Sequence, residues 1–133
     1  MHKKRKMHKM FVYGTLRAGE SNHGLLKGAV CLSLSAHVSG TMLDTGLGYP
    51  AVTEGSGKVW GEMYEVDDDT LKRIDELEDY YGPGDPRNLY ERVKTAALTD
   101  RGQVQTWIYV SDRFKSGFVI PHGDWKSYRM TGR

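Results

Sequence analysis

The stretch Val30-Cys31-Leu32-Ser33-Leu34-Ser35-Ala36-His37-Val38-Ser39 decides the fold class. Apolar side chains stand at every second position (Val30, Leu32, Leu34, Ala36 and Val38), and small or polar ones fill the places between. A period of two puts the two sets on opposite faces of an extended chain, so the segment is expected to be a half-buried strand with its apolar set turned to the core. Upstream, Met10-Phe11-Val12-Tyr13 is a short β-prone run cut off by Gly14, and Gly14 to Gly28 is expected to be loop, with one helical turn near His23-Gly24-Leu25-Leu26. Downstream, Gly40 to Gly48 and Glu54-Gly55-Ser56-Gly57 carry turn chemistry around the extended pieces Thr41-Met42-Leu43 and Tyr49 to Thr53. Lys58 to Val66 is a further strand, where Gly61 suggests a bulge or the close approach of another backbone.

One helix interrupts the strands. Asp67-Asp68-Asp69-Thr70 leads into Leu71-Lys72-Arg73-Ile74-Asp75-Glu76-Leu77-Glu78, an acidic entry that suits a helix N-terminus, and Tyr80-Tyr81-Gly82-Pro83-Gly84-Asp85-Pro86 stops it. Leu89 to Leu98 and Gln103 to Val110 follow as two strands joined by the hairpin connection Thr99-Asp100-Arg101-Gly102. The aromatics Phe114, Phe118, Trp125 and Tyr128 have no clean period; the segment Gly123 to Tyr128 is expected to cap the barrel, the alternative being that it closes over a pocket. Many short strands around one helix, without strand–helix alternation, indicate an α+β fold: a small, mostly antiparallel closed β-barrel with peripheral helices.

At 133 residues the chain has the length of one domain, and no Pro-, Gly- or Ser-rich linker divides it, so residues 10–133 are expected to form a single unit behind a flexible basic tail, 1–9. The formal charge of +2 arises from 19 basic and 17 acidic residues, and part of that excess sits in the tail. The remainder offers no basic surface for phosphates, which argues against a nucleic-acid partner. No apolar run is long enough to span a bilayer, and the N-terminus lacks the apolar core of a secretory signal. Cys31 is the only cysteine, so an internal disulfide is impossible and a reducing, cytoplasmic setting is expected. Oligomeric state is not legible.

Chemistry points first to Glu78. Leu71, Ile74 and Leu77 define an apolar helix face, and Glu78, four residues after Ile74 and seven after Leu71, falls on it. Burial and the helix C-terminal dipole both disfavour its charge, which raises its pKa towards the range of a base at neutral pH. The alternatives are a partly exposed residue at a fraying helix end, or an ion pair with Arg92. The second candidate is Phe11-Val12-Tyr13-Gly14-Thr15-Leu16-Arg17, where a glycine just after a strand lets successive N–H groups line an anion-binding concavity; the alternative is an ordinary turn. It is not a nucleotide loop, because Glu20-Ser21 stands where Lys and Ser/Thr would follow. Cys31 reads as inert, and His2, His8 and the pair His122 and Asp124 lack partners at metal-ligand spacing, so no metal is expected.

Val12-Tyr13-Gly14-Thr15-Leu16-Arg17-Ala18-Gly19, Gly61-Glu62-Met63-Tyr64-Glu65-Val66 and Ile74-Asp75-Glu76-Leu77-Glu78, in this order and spacing, give a chain that resembles the γ-glutamylcyclotransferase-like superfamily from about Met10 to Val110. Within it the likeness is to the branch holding γ-glutamylamine cyclotransferase, the AIG2-like proteins and a bacterial enzyme that unmasks a γ-glutamylated aminoglycoside intermediate. The resemblance implies a compact barrel with outer helices, Glu78 as the catalytic acid/base, and a loop Tyr13-Gly14-Thr15-Leu16 that holds the γ-glutamyl group through backbone N–H groups. It also implies that Tyr90 lines the pocket. The loop Gly82-Pro83-Gly84-Asp85-Pro86 is longer than in some relatives and bears on the pocket rim. The implied reaction needs no cofactor: the α-amine of a small γ-glutamyl substrate attacks its own γ-carbonyl and releases 5-oxoproline and an amine. Two other readings stay open on the same fold: removal of a γ-glutamyl group from a carrier-bound or antibiotic intermediate, and a non-catalytic module that binds a small ligand.

Overall fold

A computed structural model describes residues 6–114 and 117–131. In chain order the elements are β1 (Met7–Val12), a 3₁₀ turn (His23–Leu26), β2 (Val30–Asp44), β3 (Pro50–Asp67), α1 (Asp68–Leu77), β4 (Glu91–Thr99), β5 (Gly102–Val110), β6 (Phe118–Val119) and α2 (Trp125–Thr131). The six strands form one sheet in the order β3-β1-β5-β4-β2-β6, and β3 also pairs with β2, which bends the sheet round into a barrel. Pairing is antiparallel except at β1 and β5, which meet in parallel at Met10 and Trp107. Closure is loose at two seams, this one and the β2–β4 contact at His37 and Leu98, where a single residue pair joins the strands. The expected α+β barrel is what the chain forms, only roughly closed.

Several boundaries differ from the sequence reading. β1 begins at Met7, paired with Asp67, so the expected tail 1–9 is ordered strand at its inner end; residues 1–5 lie outside the described residues. The turns expected at Gly40 and at Glu54 to Gly57 are strand, because β2 and β3 run as continuous ribbons of 15 and 18 residues. The glycines there serve contact instead of reversal: a Cβ on Gly55 would stand 2.0 Å from Thr41 Oγ1, and one on Gly57 3.0 Å from the Gly40 carbonyl. The apolar alternation of β2 does mark a strand, but Val30, Leu32 and Leu34 are exposed and only Ala36 and Val38 reach the core. Residues 30–36 pair with β3 alone, past the end of the β4–β5 hairpin, so that half of the strand overhangs the barrel.

Two apolar clusters follow from the two faces of β1. Phe11 and Tyr13 point into the barrel, with Val38, Met42, Val59, Met63, Ile108 and Trp125. Met10 and Val12 point outward, under Leu71 and Ile74 of α1, with Tyr64, Val66, Tyr90 and Tyr109. Asp67 starts α1 by accepting a hydrogen bond from the Thr70 N–H at 2.8 Å, the cap that the acidic entry promised. At the other end of the chain Trp125 is buried in the barrel cluster and stacks on Tyr128, as a cap should.

A buried ion pair fixes the loop after β1. Glu62 in β3 is 2% exposed. Its Oε2 accepts from Arg17 Nε at 2.9 Å, and its Oε1 accepts from the Ala18 N–H at 2.9 Å and the Tyr64 hydroxyl at 2.8 Å. Arg17 also donates to Asp124 Oδ1 at 3.0 Å, which ties the loop to the start of α2. Removing one member of such a pair leaves the other charged and stranded. Glu62→Ala is therefore expected to lower stability by about 3–5 kcal/mol in urea denaturation; a loss below about 1 kcal/mol would mean the pair carries no structural weight.

Candidate active site

The loop that follows β1 and the end of α1 face one another across a cavity of about 230 Å³. Its lining includes Tyr13, Gly14, Thr15, Leu16, Glu78 and Tyr90, all six residues singled out from the sequence. Asn22, Tyr49, Pro50, Leu77, Asp79, Leu89 and Tyr109 complete most of the wall.

Glu78 reaches the cavity by way of the helix end. α1 closes at Leu77, and Glu78 is its C-cap, with φ −87° and ψ 4°, its N–H donating to the Ile74 carbonyl at 2.9 Å. The expected face is correct for Leu71 and Ile74 but not for Leu77, which is 37% exposed at the cavity edge because the helix stops there. The Glu78 side chain has no hydrogen bond or ion pair within the described residues. Arg92, its conceivable partner, is taken: it donates to both oxygens of Asp75 at 2.9 and 3.3 Å, with its guanidinium over Trp107. Loss of water around the carboxyl group, and secondarily the charge of Asp79, push the Glu78 pKa from its ordinary 4.5 up to about 7.

The opposite wall offers backbone donors. The N–H groups of Gly14, Thr15 and Leu16 donate to nothing within the described residues. Gly14 is required by contact, since a Cβ there would stand 2.8 Å from the ring of Pro50. Asn22, which the sequence reading passed over, clamps Thr15 twice: its N–H donates to the Thr15 carbonyl at 2.8 Å and its Nδ2 to Thr15 Oγ1 at 2.9 Å. The ring of His23 bonds the Leu16 carbonyl at 2.8 Å. With Glu62 and Arg17 below, the bare N–H groups are held in a loop that cannot easily relax.

Four tyrosines line the cavity, and three of them engage their hydroxyls with other groups of the protein. Tyr13 donates to the Tyr109 carbonyl at 2.6 Å, Tyr90 to the Pro50 carbonyl at 2.8 Å, and Tyr109 to Asp75 Oδ1 at 2.5 Å. Burial foremost, with the Glu78 charge contributing, raises the hydroxyl pKa of Tyr13, Tyr90 and Tyr109 far above its ordinary value, so these groups stay protonated. The loop Gly82 to Pro86 is not part of this wall; its residues Gly84 and Asp85 line a neighbouring groove that shares Leu89 and Tyr90 with the cavity.

Neither Cys31 nor Asp124 lines the cavity. Cys31 is an exposed free thiol, and Asp124 belongs to the Arg17 network. Among the described residues no three His, Cys, Asp or Glu side chains gather as a metal set, and no helix is long and apolar enough to cross a membrane.

The family model for γ-glutamyl cyclotransferase, AIG2-like proteins matches residues 10–127. The chain belongs to this family. It is 47% identical over 124 residues to the γ-L-glutamyl-butirosin B γ-glutamyl cyclotransferase of Niallia circulans, covering 93% of this chain and 79% of that protein. Among solved structures it is similar to an AIG2-like protein from Mus musculus, with a TM-score of 0.76 at 25% identity over 95% of this chain and 92% of the other. YkqA from Bacillus subtilis matches with a TM-score of 0.77 at 30% identity over 96% of this chain, which spans only 42% of that longer protein. The chain is thus an enzyme of the γ-glutamylcyclotransferase type.

The raised pKa of Glu78 has a cost in stability. Between pH 4.5 and about 7 the folded chain holds a proton on Glu78 that the unfolded chain has released, so this group makes stability fall as pH rises through that window. Glu78→Gln removes the cost. The variant is expected to match the parent chain at pH 4 and to be more stable by up to about 3 kcal/mol at pH 8 in urea denaturation, from about 1.4 kcal/mol per pKa unit. A difference that does not change with pH would contradict the burial of this carboxyl group.

Proposed function

We propose that the enzyme releases 5-oxoproline from a γ-glutamyl amine or amide, with Glu78 as its acid/base and the loop Tyr13-Gly14-Thr15-Leu16 as its substrate holder. The observation that carries this reading is the pairing of an unpartnered carboxyl group, poised near pH 7, with a wall of unused N–H groups in one small cavity.

The glutamyl group folds on itself between these walls. Its α-amino nitrogen attacks the γ-carbonyl carbon, and a new C–N bond closes a five-membered ring. Glu78 takes a proton from the attacking nitrogen and returns one to the departing nitrogen, after which the old C–N bond breaks and the amine leaves. No water is consumed. The N–H groups of Gly14 to Leu16 receive the anionic oxygen of the substrate, either the α-carboxylate or the carbonyl oxygen as charge builds on it. Tyr13 and Tyr90 supply flat apolar surfaces that hold the folded conformer. Restricting an intramolecular attack in this way has effective molarities of up to about 10⁵–10⁸ M to draw on.

A bulky leaving amine is compatible with the site, and one observation favours it: the relative of 47% identity bears a name in which the γ-glutamyl group sits on butirosin B. The cavity needs to enclose only the glutamyl part.

The base must be ionised to act, so kcat/KM is expected to rise with pH through a limb centred near 7, where Glu78 titrates in the free enzyme. Glu78→Gln, which cannot accept the proton, is expected to lose about 10²–10⁴-fold in the release of 5-oxoproline from a γ-glutamyl amine and to lose that limb. A variant with parental turnover would remove Glu78 from the chemistry.

A further inference from the structure

Asp79 is the residue that the cyclisation chemistry leaves unused. It is the one non-glycine among the described residues at positive φ, +51°, directly after the helix cap. That left-handed position commonly falls to glycine or asparagine, which adopt it with little strain. The backbone holds Asp79 there from both sides: its N–H donates to the Glu76 carbonyl at 3.2 Å, and its own carbonyl accepts from the Leu89 N–H at 3.0 Å. Its side chain is exposed, lines the cavity, and has no hydrogen bond or ion pair within the described residues. Its charge is felt inside the site, since it raises the pKa of both Glu78 and Tyr49.

Charge and size together indicate what this carboxylate meets. Among the described residues Glu78 and Asp79 are the only charged ones that line the cavity, and no described Lys, Arg or His lines it. At about 230 Å³ the cavity falls below the roughly 300–1,000 Å³ of pockets that enclose a drug-sized ligand. A volume of that size suits a glutamyl group alone, and a leaving amine would then extend past the exposed Leu77 and Asp79. The α-amine of the glutamyl group is not the natural partner of Asp79, because an anion that stabilised its ammonium form would oppose the deprotonation that the attack requires.

We propose that Asp79 selects the leaving group, by pairing with a second positive charge on the departing amine. The substrate class is then γ-glutamyl conjugates of diamines and polyamines, in preference to conjugates of neutral alkylamines or of amines that carry a carboxylate. This inference rests on the cyclotransferase reading of the site.

The test compares γ-L-glutamyl-1,5-diaminopentane with γ-L-glutamyl-pentylamine, which differ by the distal ammonium group. The parent enzyme is expected to favour the diamine conjugate by about two- to fivefold in kcat/KM at low ionic strength, the scale of an exposed ion pair, and to lose much of that preference in added salt. Asp79→Asn and Asp79→Gly both suit the left-handed backbone, and each is expected to bring the ratio of the two substrates to near one. Any effect of Asp79 on Glu78 is common to both substrates and cancels in that ratio. A parent enzyme with no preference, or a preference that survives in both variants, overturns the inference and leaves the cyclotransferase reading intact. Release of 5-oxoproline from neither substrate overturns both.

Discussion

A carboxyl group in a cavity walled by tyrosines, with no cation beside it among the described residues, is the constraint on which the rest of this molecule turns. Glu78 ends a helix whose dipole opposes its charge, and its nearest charged neighbour is the acidic Asp79. A protein under no other demand would pair such a group or replace it, since an unpartnered buried charge is among the more destabilising features a fold can carry. Here the group is retained and sits at a proton affinity suited to taking and returning a proton near neutral pH.

The surrounding structure keeps it that way. Two arginines of the fold are held by other carboxylates. Asp75 captures Arg92 against Trp107, and Glu62 with Asp124 captures Arg17 beneath the loop. The same Glu62 carboxylate also holds the Ala18 N–H, beside the N–H groups of Gly14, Thr15 and Leu16, which have no acceptor among the described residues. These ion pairs thus occupy both arginines and brace the loop that presents backbone donors opposite Glu78. The hydroxyls of Tyr13, Tyr90 and Tyr109, each donated within the protein and held protonated, complete the pattern, and Glu78 is the wall group pushed up to about 7.

Much of this was legible in the sequence, for identifiable reasons. Glu78 could be placed because its spacing from Leu71 and Ile74 is local, and the loop at Gly14 because a glycine follows a strand. The route was partly wrong, since the helix stops at Leu77 and it is the cap, not another helical turn, that aims Glu78 inward. The glycines at 40, 55 and 57 misled, because a glycine needed where two ribbons touch looks the same in sequence as one needed for a turn. Val30, Leu32 and Leu34 gave the correct period and the wrong burial, since alternation cannot show that a strand runs on past its neighbour. Glu62 with Arg17, and Asn22 with Thr15, were not read at all. The first pair joins residues 45 positions apart through tertiary structure. The second hides a clamp behind an asparagine that looks like an ordinary loop residue.

The most direct test of the account is a crystal structure of the enzyme with 5-oxoproline bound. The account places the product between the two walls, an oxygen of its carboxylate or lactam carbonyl within hydrogen-bonding distance of the N–H groups of Gly14 to Leu16 and its ring nitrogen against the Glu78 carboxyl group. A product seated elsewhere, or one that touches the loop while Glu78 points away from its nitrogen, would contradict it.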